Sequence, residues 1–121
     1  MKVLEKWGPG CYFYGADPDT NMQAFEDFLK SHISPSCVVS SGNLSPIAAV
    51  FCECPSNPLL QSPNFLRLHE LADEFGFLVV VDDTIGNFVN VGVLRYADVV
   101  MTSLSKLFSG AADVMGGWSV I

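Results

Sequence analysis

Basic residues are scarce in this sequence: six Lys and Arg stand against thirteen Asp and Glu, for a formal net charge of −7. That balance argues against a nucleic-acid partner, because a phosphate backbone is held by clustered Lys and Arg and the six here are scattered. It also means that any bound phosphate must be held by directed donors, hydroxyls and backbone N–H groups, rather than by general attraction. Long apolar runs are absent as well. None approaches the roughly 18 residues that a membrane span requires, and the start of the chain does not read as a secretory signal. No C-x-x-C pair occurs among Cys11, Cys37, Cys52 and Cys54, which speaks against a metal site and predicts free thiols in a reducing, cytoplasmic setting. Length is limited too. A chain of 121 residues encloses one modest core, so one domain or part of one is expected, and 50% hydrophobic with 16% charged residues is an oily balance that points to a fragment or an oligomer.

What is present is a succession of α/β signals. Val3, Leu4 and Trp7 have helical spacing before Gly8-Pro9-Gly10, and Cys11–Tyr14 reads as a short strand closed by a turn over Gly15–Asp19. Thr20 and Gln23 fit a capping box for a helix whose apolar face is Met22, Phe25, Phe28 and Leu29 and which ends near Ser31. Cys37–Val39 is a short strand or only loop. Ile47–Cys52 is an apolar strand, and Glu53–Pro58 is a loop stiffened by two prolines. Ser62-Pro63 supplies an N-cap and a first-turn proline for a helix buried through Phe65, Leu68, Leu71, Ala72 and Phe75, and Gly76 ends it. Phe77–Val81 follows as a continuous apolar strand, a pattern that predicts burial on both faces, as in a parallel sheet covered by helices. Ile47–Val81 is thus a βαβ unit, expected to be right-handed. A connecting segment over Thr84–Tyr96, with one helical turn near Val91–Arg95, leads to a strand at Asp98–Met101; Gly116-Gly117 precedes a last apolar run, Trp118–Ile121. Both ends of the chain read as edges of something larger.

Ligands of open α/β sheets bind beyond the carboxyl ends of the strands, where this sequence carries Asn57, Asp82-Asp83 and Ser103–Lys106. Lys106 alone among the basic residues directly follows a buried strand. Held against apolar surface, such a lysine is a usable nucleophile toward an aldehyde. Were the aldehyde that of pyridoxal phosphate (PLP), the site would also need a carboxylate for the pyridine nitrogen, for which Asp82 is placed, and hydroxyls for the phosphate, which Ser103 and Ser105 offer on either side of Leu104. Asn57 would donate to the ring's phenolic oxygen. Each of these features also has an ordinary structural reading as a cap, a turn or a loop. A competing chemistry is magnesium-dependent phosphoryl transfer, with Asp82 and Asp83 on the ion and Lys106 on a phosphoryl oxygen.

Taken together, Cys54-Pro55-Ser56-Asn57-Pro58, Leu78–Thr84, Ser103-Leu104-Ser105-Lys106, Ser109-Gly110 and Asp113–Gly117 resemble the Cys/Met-metabolism PLP-dependent enzymes, most nearly the cystathionine γ-synthase branch in its fungal form. The resemblance implies an α/β fold, with residues 1–121 forming part of the large PLP-binding domain of a fold-type I (aspartate aminotransferase-like) enzyme: a mostly parallel sheet with flanking helices. It implies that Lys106 is the lysine tethered to the cofactor and the proton shuttle, that Asp82 pairs with the pyridine nitrogen, that Ser103 and Ser105 hold the phosphate, and that Asn57 contacts the phenolic oxygen. The reaction it implies is γ-replacement, joining cysteine to an activated homoserine ester, in a homo-oligomer. Asp83 stands where the wider family often has Asn, and no catalytic role is assigned to it. Family members are several times larger. Their N-terminal arm, ring-stacking aromatic residue, intersubunit Tyr/Arg phosphate contacts and C-terminal small domain with its carboxylate-binding arginine have no counterpart that can be assigned here. Losing a phosphate clamp and a ring stack would cost on the order of 1–3 kcal/mol each, so weak cofactor binding and little turnover are expected of this chain alone. The alternative implied by the same gaps is an inactive fragment that acts as an interaction module.

Overall fold

The apolar run after Gly76 becomes the inner strand of a four-stranded sheet. In the computed structural model, which describes residues 10–15, 18–33 and 47–121, the elements are helix α1 (Pro18–His32), strand β1 (Ala49–Glu53), helix α2 (Phe65–Phe75), strand β2 (Leu78–Asp82), strand β3 (Val99–Ser103) and strand β4 (Gly117–Val120). The strand order is β1-β2-β3-β4. β1, β2 and β3 run parallel, and β4 returns antiparallel to β3. The predicted βαβ arrangement, with α2 between two paired parallel strands, is thus present.

Residues Leu68, Leu71, Ala72 and Phe75 follow the three-and-four spacing of one helical face, and all four are buried in α2. They share one core with Val79, Val81 and Val100 of the sheet. The chain enters α2 through Asn64, not Ser62: the Asn64 side chain accepts a hydrogen bond from the Arg67 N–H at 3.1 Å. Ser62 lies too early and is hydrogen-bonded to the Cys54 thiol at 3.3 Å. Gly76 closes the helix as expected, in the left-handed region (φ 72°) that a glycine adopts without steric cost, with its N–H on Ala72 O at 2.8 Å.

α1 buries Phe25 and Leu29, with Phe25 edge-on to Phe77 at a centroid distance of 5.7 Å. Its first turn departs from the expected capping box: the helix begins at Pro18, placing Thr20 and Gln23 inside it, and the Gln23 amide donates forward to Asp27 at 3.0 Å. Residues 10–15 pair with no strand among the described residues and carry no strand geometry, so the expected strand at Cys11–Tyr14 is not found; instead Tyr12 and Tyr14 lay their rings against Phe28 and Phe25 of α1. The expected helix before Gly8 and the expected strand at Cys37–Val39 lie outside the described residues.

β2 is buried on both faces through Val79, Val80 and Val81, as its unbroken apolar run predicts. Its neighbours are not. On the face away from α2, Phe51 of β1 and Met101 of β3 are exposed, together with Leu78 at the start of β2. β3 also runs two residues beyond the expected end at Met101. Thr102 and Ser103 stay in the ladder because they pair with Trp118 and Gly117 of β4, a partner that polarity alone does not announce. In the connecting segment the main turn falls at 84–89, ahead of the expected position, with a shorter one at 94–96 closed by Tyr96 N–H on Val93 O at 2.9 Å.

Candidate functional site

Parallel pairing in register sets Glu53 beside Asp82, and Asp82 beside Met101, so that three strands end side by side. Beyond those ends lies a cleft of about 180 Å³ lined by Asn57, Asp82, Thr84, Ser103 and Lys106, together with Glu53, Pro55 and Ile85. Four of the five sequence-identified residues therefore line one space. The fifth, Ser105, does not line it: its hydroxyl oxygen accepts a hydrogen bond from the Gly116 N–H at 3.2 Å, across the turn that leads into β4.

Each side chain is placed by its element. Asn57 sits in the two-proline loop after β1, whose Cys54–Pro55 and Asn57–Pro58 peptides are both cis, and its N–H donates to the Glu53 carboxylate at 3.0 Å. Asp82 is the last residue of β2 and is half-buried. One of its oxygens, Oδ1, accepts from Thr84 twice, from the backbone N–H at 2.9 Å and from the hydroxyl at 2.5 Å. The Thr84 hydroxyl in turn accepts from the Ser103 N–H at 2.9 Å, tying the end of β2 to the end of β3.

Lys106 stands in a five-residue π-type turn, Leu104–Phe108, which follows β3 without a break. The turn leaves helical geometry at Lys106 itself (φ −95°, ψ −113°), and Ser109 N–H closes it on Leu104 O at 3.1 Å. Short π-type segments are frequent at functional sites. Lys106 is exposed here, not held against apolar surface as the sequence reading expected of it.

The two adjacent aspartates diverge. Asp82 borders the cleft, whereas Asp83 is 1% exposed and borders a separate, largely apolar cavity of about 430 Å³ with Phe88, Val93, Leu104, Phe108 and Trp118. Asp83 organises the turn after β2: its Oδ2 accepts from the Phe88 N–H at 2.8 Å and its carbonyl accepts from Asn87 N–H at 2.7 Å. Burial pushes the Asp83 carboxyl above its ordinary range; the Phe88 N–H opposes that shift and the neighbouring Asp82 charge adds to it. Because the two carboxylates border different cavities, they are not set to chelate one ion as the magnesium reading required, and no group of three His, Cys, Asp or Glu suited to a metal occurs among the described residues. The nearby thiols are unsuited to nucleophilic work. Burial raises Cys52 to about 12 and raises Cys54 as well.

Thr84 is the residue the sequence reading passed over. Its signal was present, since an aspartate two residues before a threonine is the pattern in which a carboxylate turns back onto the backbone N–H of residue i+2.

Comparison with known proteins covers the stretch of chain that holds the cleft. The family profile described as Cys/Met metabolism PLP-dependent enzyme matches residues 38–121. The cystathionine gamma-synthase-like enzyme iboG1 of Amanita muscaria is 53% identical over 121 residues, a match covering 100% of this chain and 19% of that protein. A cystathionine gamma-synthase of Neurospora crassa is 44% identical, with 99% of this chain and 18% of that one covered. An alanine racemase, ungC of Aspergillus violaceofuscus, is 42% identical over 100% of this chain and 20% of its own. Among solved structures, cystathionine gamma-lyase from Lactobacillus plantarum complexed with L-serine superposes with a TM-score of 0.65 at 25% identity, covering 98% of this chain and 27% of that one. The chain spans about a fifth of the length of the curated relatives it matches. The mostly parallel sheet flanked by helices agrees with the fold-type I expectation.

Proposed function

Because the chain belongs to the Cys/Met metabolism PLP-dependent enzymes, we propose that it forms the floor of the PLP site of a transsulfuration enzyme acting by cystathionine γ-synthase-like γ-replacement, cysteine joining an activated homoserine ester. The observation that carries the reading is the convergence of Asn57, Asp82, Ser103 and Lys106 on one cleft at the strand ends. When bound there, PLP supplies an electron sink that stabilises carbanions next to the amino-acid nitrogen.

The donor set fits that group: a primary amine, a carboxylate, an amide and a hydroxyl border one cleft at the end of β2 and β3. Lys106 tethers the cofactor through its Nζ and moves protons at the substrate carbon, for which an exposed amine on a turn has the needed freedom. Asp82 accepts from the protonated ring nitrogen and keeps it protonated. Asn57 donates its amide to the phenolic oxygen, and Ser103 donates to the phosphate. Ser105 is assigned to the same task by the family reading, although its hydroxyl oxygen here accepts from the Gly116 N–H. With few directed donors available to the phosphate, this chain alone holds the cofactor weakly and turns over little substrate. Of the relatives, one carries the name cystathionine gamma-synthase, one cystathionine gamma-synthase-like enzyme and one alanine racemase, so the choice of γ-replacement rests on the first two. By the same family reading the protein works as a homo-oligomer in the cytoplasm.

The test is a titration of the purified chain with PLP, read by visible absorption. A band that develops in the wild type and is lost in Lys106→Ala is expected. An identical response from the two proteins would overturn the cofactor reading.

A second reading, an interaction module, is favoured by one observation: Phe51, Leu78 and Met101 stand exposed on a single face of the sheet. Size-exclusion chromatography of the chain with and without a full-length relative distinguishes it. Co-elution supports the module; a monomer indifferent to the relative counts against it.

A further inference from the structure

Thr84 stands between the two strand ends that build the cleft, and its hydrogen bonds admit only one arrangement of its proton. A hydroxyl has one proton and two lone pairs. The Ser103 backbone N–H, 2.9 Å away, can only donate, so the Thr84 oxygen accepts there. Its proton is then directed to Asp82 Oδ1, 2.5 Å away. Thr84 N–H reaches the same oxygen at 2.9 Å. Both of these donors fall on Oδ1; among the described residues none falls on Oδ2, the oxygen left to meet a ligand. Thr84 itself lines the cleft.

We infer that Thr84 is a positioning residue: by saturating Asp82 Oδ1 and anchoring it to the Ser103 backbone, it presents Asp82 Oδ2 as the single acceptor for the ring nitrogen of a bound pyridine. The inference rests on the reading of Asp82 as the cofactor's partner, and it adds that the carboxylate's direction is set from β3 rather than by β2 alone. Without those two bonds the plane of the carboxylate could turn about its broad terminal torsion, and a ring nitrogen held within hydrogen-bond distance needs one plane.

Two readouts test it, one of them without cofactor. In the PLP-free chain, Thr84→Val removes the acceptor for the Ser103 N–H, and amide hydrogen exchange at Ser103 should accelerate, while Thr84→Ser keeps its protection. In the PLP titration, Thr84→Val should weaken binding by about tenfold, the loss expected for one hydrogen bond to a charged group, and Thr84→Ser should stay within about twofold of the wild type. An effect transmitted through Asp82 disappears when Asp82 can no longer serve, so Thr84→Val added to Asp82→Asn should cost nothing further; a purely structural role would add its full tenfold again. Unchanged Ser103 exchange in Thr84→Val, equal PLP affinity, or full additivity with Asp82→Asn each overturns the inference. A wild type that gives no Lys106-dependent band overturns the cofactor reading instead, and the exchange result still judges the Thr84 bridge.

Discussion

Glu26 of α1 and Arg67 of α2 meet through two hydrogen bonds, Nε to Oε2 at 3.1 Å and Nη2 to Oε1 at 2.5 Å, which lock the two helices together on one side of the sheet. Lys30 also reaches Glu26, and Glu70 takes the remaining arm of Arg67 at 2.8 Å. Planar pairing of this kind is what an arginine can do and a lysine cannot.

The pair predicts an acid-side signature. Arg67 first, and Lys30 second, hold the Glu26 carboxyl at about 2, against an ordinary 4.5. Since the folded value is depressed, the stability this group contributes is present above pH 4.5 and is lost as pH falls toward 2. In Arg67→Ala the Glu26 side-chain titration, followed by carbon NMR, should move up toward 4.5, and acid unfolding over that window should lose part of its dependence on pH. A midpoint that stays near 2 in the variant would show that Arg67 is not the cause.

Asp83 predicts the opposite sign. Its folded carboxyl is raised, chiefly by burial, so its contribution favours the fold below the unfolded value of 3.8 and is lost as pH rises through the folded one. Urea midpoints of the wild type should therefore fall as pH rises above the unfolded value of 3.8, and the slope should flatten in Asp83→Asn, which has no proton to lose. Parallel slopes in the two proteins would contradict the assignment.

The turn that Asp83 organises has no room for a larger residue at position 86. A Cβ built on Gly86 falls 1.8 Å from Asp83 Oδ1. Gly86→Ala should destabilise the chain by about 1–3 kcal/mol in chemical unfolding, the usual cost of forcing an atom into packed surroundings. Gly92→Ala, where nothing lies within 4 Å, serves as the control and should change the midpoint little.

The N-terminus of α2 allows a choice between two caps. Asn64→Ala removes the acceptor for the Arg67 N–H and should cost about 1 kcal/mol, whereas Ser62→Ala should cost less, because among the described residues that hydroxyl bonds the Cys54 thiol and no backbone N–H of the helix. Chemical denaturation of the two variants decides between them, and an equal or larger loss in Ser62→Ala would restore the cap to Ser62.

Patterns resolved by a few neighbouring residues were legible in the chain alone. The spacing of Leu68, Leu71, Ala72 and Phe75 and the stop at Gly76 defined α2, and the unbroken run before Asp82 defined a strand buried on both faces, because helix and strand periods depend on residues within a turn or two. Ordered short segments around Asn57, Asp82 and Lys106 likewise sufficed to identify the family. Only tertiary structure could decide the rest. β3 continues through Thr102 and Ser103 because β4 returns to pair with them, the Ser105 hydroxyl faces Gly116, and Thr84 joins Asp82 to a backbone N–H nineteen residues away. Those outcomes depend on which strand end lies beside which. Hydrogen bonds are directional and reach only about 3 Å, so a side chain's partner is fixed by distant chain brought close, which no local pattern encodes.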